Sequence, residues 1–479
     1  MRRTRVIATI GPSSWSSESL EAMLDAGCDV FRINYSHGEP EEKTELYQRI
    51  RSLERNGRTT CIIADLPGPK LRLGNFEGPR LLNSGDEVRL VCGVKEAIGK
   101  EIPVEYGGLS AEISEGDSIL LADGLIRLSV TKTDKKNDSF IDCIVEDGGP
   151  ITSRKGINVP GTIIDLPAIG PKDDAALNHA LENDADYIAV SYARTPNDLT
   201  PAKTKITDYG VHTPVIAKIE HPSALTNLHP ILDAADGVMV ARGDLGVEIP
   251  LEQVPLAQQR IIDAALMRGM VAIVATQMLE SMTLNSRPTR AEVSDVSTAI
   301  RHGGTAVMLS GETAMGNHPI KTVETMSLIA EATENGLDSI VGKPGALSKF
   351  KSTRAVAHAG VELARVSQAG HILVATQHGN APRLVAGYRP DVEVTAVTNR
   401  LRAARRMKLL PGVSSVIVEE DNRGSVTMQN AIRLLAEKGV IKSNERVVAI
   451  SGSPQAMQGA TSTVRLYRLE PDGSITGSE

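Results

Sequence analysis

Short apolar, β-branched runs alternate with amphipathic stretches over much of this chain. "TRVIATI" (4–10) reads as a buried strand and stops at Gly11-Pro12. The stretch after it has helix punctuation: Ser16 or Ser17 to cap, Leu20, Met23 and Leu24 on one face, Gly27 to end. "CDVFRIN" (28–34) and "TTCIIAD" (59–65) are the next strands. The rhythm resumes at "DYIAVSY" (186–192), "PVIAKIE" (214–220), "DGVMVAR" (236–242), "MVAIVATQ" (270–277) and "TAVMLSGE" (305–312). Helical patterns separate them; in 251–269, Val254, Ala257, Ile261 and Ala264 share a face and Gly269 closes it. Strands this apolar are buried on both faces, as in a parallel sheet. Eight βα units predict a closed (β/α)₈ barrel in an α/β chain.

Between the third and fourth strands the pattern changes to period two, with Gly and Asp turns. "DEVRLVCG" (86–93), "DSILLADGLIRLSVTKT" (117–133) and "SFIDCIVEDGG" (139–149) predict an inserted all-β domain over 71–159. After the eighth unit, 335–349 reads as a linker. Strands near 371–377, 392–398, 414–420, 446–451 and 463–469, with helical stretches between, predict a separate C-terminal α/β domain. The expected division is 1–70 with 160–340 for the barrel, 71–159 for an inserted β-barrel lid, and 350–479 for the C-terminal domain.

Composition narrows the function. The chain has 479 residues, 41% hydrophobic and 23% charged, with a net charge of -7, one Trp and four Phe. That balance argues against nucleic-acid binding, which favours basic surfaces and aromatic platforms. Cys28, Cys61, Cys92 and Cys143 are scattered without a C-x-x-C pair and fit a reducing cytoplasm. The first apolar run is too short for a signal-peptide core, and none approaches membrane-spanning length, so no membrane association is expected.

Barrel active sites sit at the C-terminal strand ends. There the sequence places Arg32, Asn34, Asp65, Ser191, Lys218, Glu220, Arg242, Asp244, Thr276, Gln277, Ser310 and Glu312. Any one of these could be polar simply because it meets water. Lys218 is harder to explain so, because it alternates with Ala217 and Ile219 inside an apolar run. Glu220 and Asp244 end neighbouring strands, and paired carboxylates suit Mg²⁺; a salt bridge to Lys218 or Arg242 is the equal alternative. Lys218 and Arg32 supply the positive charge that phosphoryl transfer needs. Thr276 could relay a proton or cap a turn. Asn34, Ser36 and Asp65 carry oxygens suited to a monovalent cation. His37, in "SHG", could contact a nucleotide or simply shape a turn. There is neither a P-loop nor a Rossmann fingerprint.

Taken together, "TIGPSS" (9–14), "FRINYSHG" (31–38), "KGINVPG" (155–161), "IAKIEHP" (216–222), "GVMVARGDLGVEIP" (237–250), "ATQMLESM" (275–282), "SRPTRAEVSDV" (286–296) and "MLSGETAMG" (308–316) resemble pyruvate kinase over essentially the whole chain. The resemblance implies phosphoryl transfer from phosphoenolpyruvate to ADP in glycolysis, giving pyruvate and ATP, with Mg²⁺ or Mn²⁺. It implies Lys218 at the transferring phosphoryl, Glu220 and Asp244 on the metal, and Arg32 on phosphate. Gly243, Asp244 and Thr276 face the substrate carboxylate, with Thr276 near the enolate. Asn34, His37, Arg72 and Lys155 fall on the nucleotide side, and Asp123 on the turn of a closing lid. It also implies a cytoplasmic homotetramer regulated by a sugar phosphate or nucleotide.

Three departures stand out. The lid turn reads "ADG" (122–124) where the family usually has Asp-Asp-Gly. The effector loop, "TQHGNAP" (376–382), holds Thr376, His378, Gly379 and Asn380 and lacks the cations of fructose-1,6-bisphosphate-activated members. "DLPGPK" (65–70) stands where potassium-dependent members read Asp-Thr-Lys-Gly-Pro-Glu. Lys70, with Asn34, Ser36 and Asp65, is therefore expected to replace K⁺ by a fixed ammonium. Another Mg²⁺-dependent barrel enzyme using pyruvate or phosphoenolpyruvate, such as an aldolase, and a catalytically inactive metabolite sensor are the alternatives.

Overall fold

The computed structural model describes residues 2–55, 57–96, 99–122, 124–135, 139–162, 164–337, 345–419, 424–452 and 461–477. Eight parallel strands close into a barrel: β1 (Arg5–Thr9), β2 (Val30–Asn34), β3 (Ile62–Asp65), β4 (Tyr187–Val190), β5 (Val215–Ile219), β6 (Gly237–Ala241), β7 (Val271–Ala275) and β8 (Ala306–Leu309). Each pairs with its sequence neighbour, and β8 returns to β1. The helix after β1 runs Ser17–Asp25, with Ser16 accepting from Ser19 N and Gly27 at φ 107° just beyond it.

Alternation along the strands separates two apolar layers. Val215, Ala217 and Ile219 pack outward against the helices, whereas Ile216 faces the barrel interior. The interior layer also holds Ile7, Val30, Ile63, Ala189, Met239, Ile273 and Met308. Two residues further along, the same parity puts Thr9, Arg32, Asp65, Ser191, Lys218, Ala241, Ala275 and Ser310 at the mouth. The ring of strand-end chemistry thus follows directly from the period of two.

Several expected strands end earlier than their sequence pattern. Tyr192, Thr276 and Gln277 have φ of 53°, 70° and 53°, so the chain leaves extended geometry as it reaches the site. Glu220 lies one residue past β5, and Arg242 already opens the helix Arg242–Glu248.

Leu71–Arg72, directly after the "DLPGPK" turn, is an edge strand of a seven-stranded sheet. Its order continues through Gly156–Asn158, Ser118–Leu121, Ile126–Thr133, Phe140–Asp147, Glu87–Cys92 and Ile102–Val104. A bridge between Leu73 and Val104 joins the two edges. The sheet is mixed, with Glu87–Cys92 and Ile102–Val104 pairing parallel. It has its own core, including Leu73, Leu90, Leu121 and Leu128. A helical turn, Leu109–Glu112, interrupts the expected all-β pattern. The run 117–133 folds back at Ala122 into two antiparallel strands.

The C-terminal unit is a six-stranded sheet of β9 (His371–Ala375), β10 (Glu393–Thr398), β11 (Val413–Ile417), β12 (Arg446–Gly452), β13 (Thr461–Leu469) and β14 (Ile475–Gly477). Its order is β11-β10-β9-β12-β13-β14, with the last two strands antiparallel. Within the stretch expected as a linker, 338–344 lies outside the described residues.

Candidate active site

At the mouth of the barrel the interior-facing polar residues bond to one another. Arg32 reaches Asp65 Oδ2 with both Nε and Nη2 at 2.6 Å, and its Nη1 donates to Thr9 Oγ1 at 3.0 Å. Lys218 Nζ lies 2.7 Å from Ser191 Oγ, 3.1 Å from Asp65 Oδ1 and 3.0 Å from Glu220 Oε1. Asp65 is thus a buried carboxylate between two cations. Burial alone would raise its pKa, but Arg32 and Lys218 outweigh burial and hold it below the usual carboxylate range. Burial likewise opposes the Lys218 ammonium, and Asp65 and Glu220 more than offset it, so Lys218 stays charged. The whole group is a preorganised pair of cations aimed where an anion would enter.

Glu220 is 1% exposed, and its Oε2 accepts from Tyr192 N at 2.8 Å. Burial raises its pKa, and the charge of Asp244 adds to the rise against the pull of Lys218. Asp244, in the first turn of Arg242–Glu248, has Lys70 Nζ at 3.6 Å. Two carboxylates placed so that the charge of one raises the proton affinity of the other form a site that a cation stabilises. Among the described residues no three His, Cys, Asp or Glu gather as a ligand set. A pair of carboxylates, with water and phosphate oxygens to complete the shell, fits a hard divalent ion such as Mg²⁺.

Thr276 follows β7 in the left-handed region, where a β-branched residue is strained. Its Oγ1 accepts from Gly243 N at 2.7 Å and contacts the Ala275 carbonyl at 2.5 Å. Arg242 turns away from the mouth. It binds Asp295 at 2.7 Å and donates to the carbonyls of Thr276 at 2.9 Å and Gln277 at 3.1 Å. Glu312 is fully buried and braces the neighbouring loops, accepting from Leu279 N and Ser310 N.

The nucleotide-side candidates form a looser group. The positive charges of Arg72, Arg32, Lys43 and Lys70 add to burial in lowering the His37 pKa. Lys43, not anticipated from the sequence, holds this turn through the carbonyls of His37 and Gly38 at 2.8 and 2.6 Å. Arg72 donates to the Arg154 carbonyl, and Lys155 is exposed beside it. Asp123 lies outside the described residues. The cation-site candidates are divided: Asp65 serves Arg32 and Lys218, Asn34 Oδ1 accepts from Ser36 N at 3.0 Å, and Lys70 pairs with Asp244. In the effector loop Thr376 Oγ1 accepts from Gly379 N at 2.7 Å, while His378 is exposed.

Sequence reasoning missed Asn158, Tyr192 and Glu248. Asn158, on the lid strand Gly156–Asn158, donates to Glu248 Oε1 at 2.8 Å and lies 3.5 Å from the Tyr192 hydroxyl. Their signal was present in "KGINVPG" and "GDLGVEIP", but nothing in either motif shows that the two meet.

Two family models match the chain: the pyruvate kinase barrel domain over residues 1–323 and the pyruvate kinase alpha/beta domain over 354–467. A pyruvate kinase of Geobacillus stearothermophilus is 38% identical over 473 residues, 97% of this chain and 80% of the relative. One of Mycobacterium tuberculosis is 36% identical over 475 residues, 98% and 99% of the two chains. The crystal structure of a pyruvate kinase from Cryptosporidium parvum superposes with a TM-score of 0.88 at 33% identity, covering 98% of this chain and 96% of the other. These likenesses give no support to an aldolase-type enzyme or an inactive sensor. With both family domains matched and curated relatives aligned over nearly its full length, the chain belongs to the pyruvate kinase family, a family of phosphotransferases.

Proposed function

We propose that the chain transfers the phosphoryl group of phosphoenolpyruvate to ADP at the barrel mouth, with Lys218 and Arg32 carrying the developing phosphoryl charge. The observation that carries this reading is the Arg32–Asp65–Lys218–Glu220 chain, which fixes two buried cations at the mouth. Glu220 and Asp244 hold the divalent ion, read as Mg²⁺ with Mn²⁺ as substitute. When bound, that ion neutralises phosphate and carboxylate charge. The enol oxygen–phosphorus bond breaks, a β-phosphate oxygen of ADP bonds to phosphorus, and the enolate is left. Gly243, Asp244 and Thr276 receive the substrate carboxylate, and Thr276 holds or relays the proton that reaches the enolate methylene carbon. Asn34, His37, Arg72, Lys155 and Asp123 make up the nucleotide side. Domain limits of 1–70 with 160–340, 71–159 and 350–479 are part of the same reading, as are a homotetramer, a cytoplasmic location and a phosphorylated effector at 376–380.

Lys70 is read as the fixed charge that replaces K⁺. Its contact with Asp244 supports this, because an ammonium already stands beside one carboxylate of the site. A coupled pyruvate assay with phosphoenolpyruvate, ADP and Mg²⁺ is expected to show turnover that K⁺ leaves unchanged at constant ionic strength. Lys70→Glu is expected to make turnover K⁺-dependent. Absence of pyruvate formation across divalent metals would refute the main reading, and strong activation of the native chain by K⁺ would refute the role of Lys70. Lys218→Met is expected to keep metal binding and to lose at least about 10²-fold in kcat. Near-normal kcat in that variant would remove Lys218 from the chemistry.

A further inference from the structure

The three groups that hold the Lys218 ammonium are not alike. An ammonium has three N–H donors and no acceptor. Around Lys218 stand Asp65 at 3.1 Å, Glu220 at 3.0 Å and Ser191 at 2.7 Å. The two carboxylates have other claims on them. Asp65 is shared with Arg32, and Glu220 Oε2 accepts from Tyr192 N. Ser191 is the neutral member of the three. A hydroxyl fixes an ammonium without cancelling its charge, so that charge stays available to an incoming phosphoryl.

The hydroxyl is itself held. Ser191 follows β4, shares the inward parity of Ala189 and is 2% exposed. Its Oγ donates to the Leu66 carbonyl at 2.8 Å. With the proton committed there, the oxygen lone pairs are left to Lys218. Leu66 opens the turn that leads into the lid strand Leu71–Arg72, and this turn is seated on the end of β4. Leu66 N donates to the Ala189 carbonyl at 3.0 Å, and Gly68 N donates to Asp173 Oδ1 at 2.7 Å. Gly68 has φ 74°, and a Cβ on it would stand 2.5 Å from Ser191 Cβ, so only glycine lets the turn settle this close. Directly after Ser191 the chain turns left-handed at Tyr192, φ 53°, which aims the Tyr192 amide at Glu220. The sharp exit from β4 therefore serves both Lys218 and its carboxylate partner.

We infer that Ser191 is a positioning residue for phosphoryl transfer: its hydroxyl, anchored on the Leu66 carbonyl, sets the direction in which the Lys218 ammonium meets the transferring phosphoryl. This rests on the phosphoryl-transfer reading of the site and adds to it a residue that acts through Lys218. Because the anchor belongs to the turn into the lid strand, Lys218 is registered against the lid's point of attachment as well as against its own strand.

A double-mutant cycle on the full chain, read by the coupled pyruvate assay, tests this. Ser191→Ala is expected to lower kcat about tenfold, the weight of one hydrogen bond to a charged group, and to leave KM for phosphoenolpyruvate within about twofold of native. Ser191→Cys keeps the volume with a weaker donor and acceptor, and its kcat is expected to fall between those of Ser191→Ala and the native chain. In a Lys218→Met background there is no ammonium to place, so adding Ser191→Ala is expected to cost nothing further. A kcat in Ser191→Ala within about twofold of native would overturn the role. The full loss repeated on top of Lys218→Met would overturn it too, because Ser191 would then act without the lysine. If Ser191→Ala fails to fold, Ser191→Cys decides, and a native kcat in it overturns the role. Absence of pyruvate formation by the native chain would overturn the phosphoryl-transfer reading and this inference together, whereas native turnover indifferent to Ser191 would overturn this inference alone.

Discussion

Lys218 shows how one residue carries several levels of the structure. Its parity with Ile216 turns it into the barrel, and the barrel strips its water. Removing one partner of such a buried pair costs about 3–5 kcal/mol. Asp65→Asn is therefore expected to destabilise the chain by about that much at neutral pH, with Arg32 and Lys218 left facing an amide. The sign of the pH dependence follows from the depressed Asp65 pKa. Its contribution is complete above the ordinary carboxylate value of about 3.9 and is lost as pH falls through the lower folded value. Urea unfolding of both proteins should show a stability gap that is constant down to about pH 4 and narrows below it. A gap that stayed constant further into acid would detach Asp65 from the pair. Lys218 and Asp65 were legible in the sequence because an apolar period-two run holds a charge only where a buried partner or a ligand meets it. The left-handed turn at Thr276-Gln277 was not, because neither residue is a glycine or asparagine. A turn of this kind stores about 1–3 kcal/mol, held here by the hydrogen bonds from Arg242.

At the scale of elements, the helix Arg242–Glu248 has a double attachment. Its first turn carries Gly243 and Asp244, and its last residue, Glu248, binds Asn158 of the lid strand Gly156–Asn158. Gly124, in the lid turn, lies against Val247 of the same helix. Lid position and the metal carboxylate are thus joined through one short rigid piece. Glu248 Oε2 is buried without a hydrogen bond, with His221 Nε2 3.9 Å away, and burial followed by the charges of Asp244 and Glu220 raises its pKa. Glu248→Ala leaves the Asn158 amide with only its 3.5 Å contact to the Tyr192 hydroxyl and is expected to lower kcat about ten- to hundredfold through misplacement of the helix. Glu248→Gln, which keeps the acceptor, should restore most of it. Equal losses in both variants would mean that the carboxylate charge matters and the attachment does not. This link lay beyond the sequence because Asn158 and Glu248 are ninety positions apart. What could be read were the strands themselves, since each carries its period locally. The brief strand β14 escaped notice because three residues carry too little pattern.

For the molecule as a whole, the barrel interior is not sealed at its lower end. The apolar cluster that holds Ile7, Val30, Ile216 and Met308 continues into Ile372, Leu384, Met407 and Ile450 of the C-terminal unit. The lid core, in contrast, is a cluster of its own. Ion pairs reinforce the lower contact: Arg405 Nη2 binds Glu54 at 2.6 Å and Nη1 binds Asp184 at 2.6 Å. Arg405 is 8% exposed, so its loss leaves Glu54 with one cation fewer in a half-buried place. A shared core makes two sheets melt together, whereas separate cores permit separate transitions. Scanning calorimetry is expected to show barrel and C-terminal unit unfolding in one transition, with the lid free to unfold below it. Arg405→Ala should lower that shared transition as a whole, because the barrel cannot keep its lower core dry once the C-terminal sheet is released. A variant in which the C-terminal unit melts early while the barrel transition stays in place would show that the two cores are only adjacent. The active site would then be mechanically isolated from the C-terminal unit.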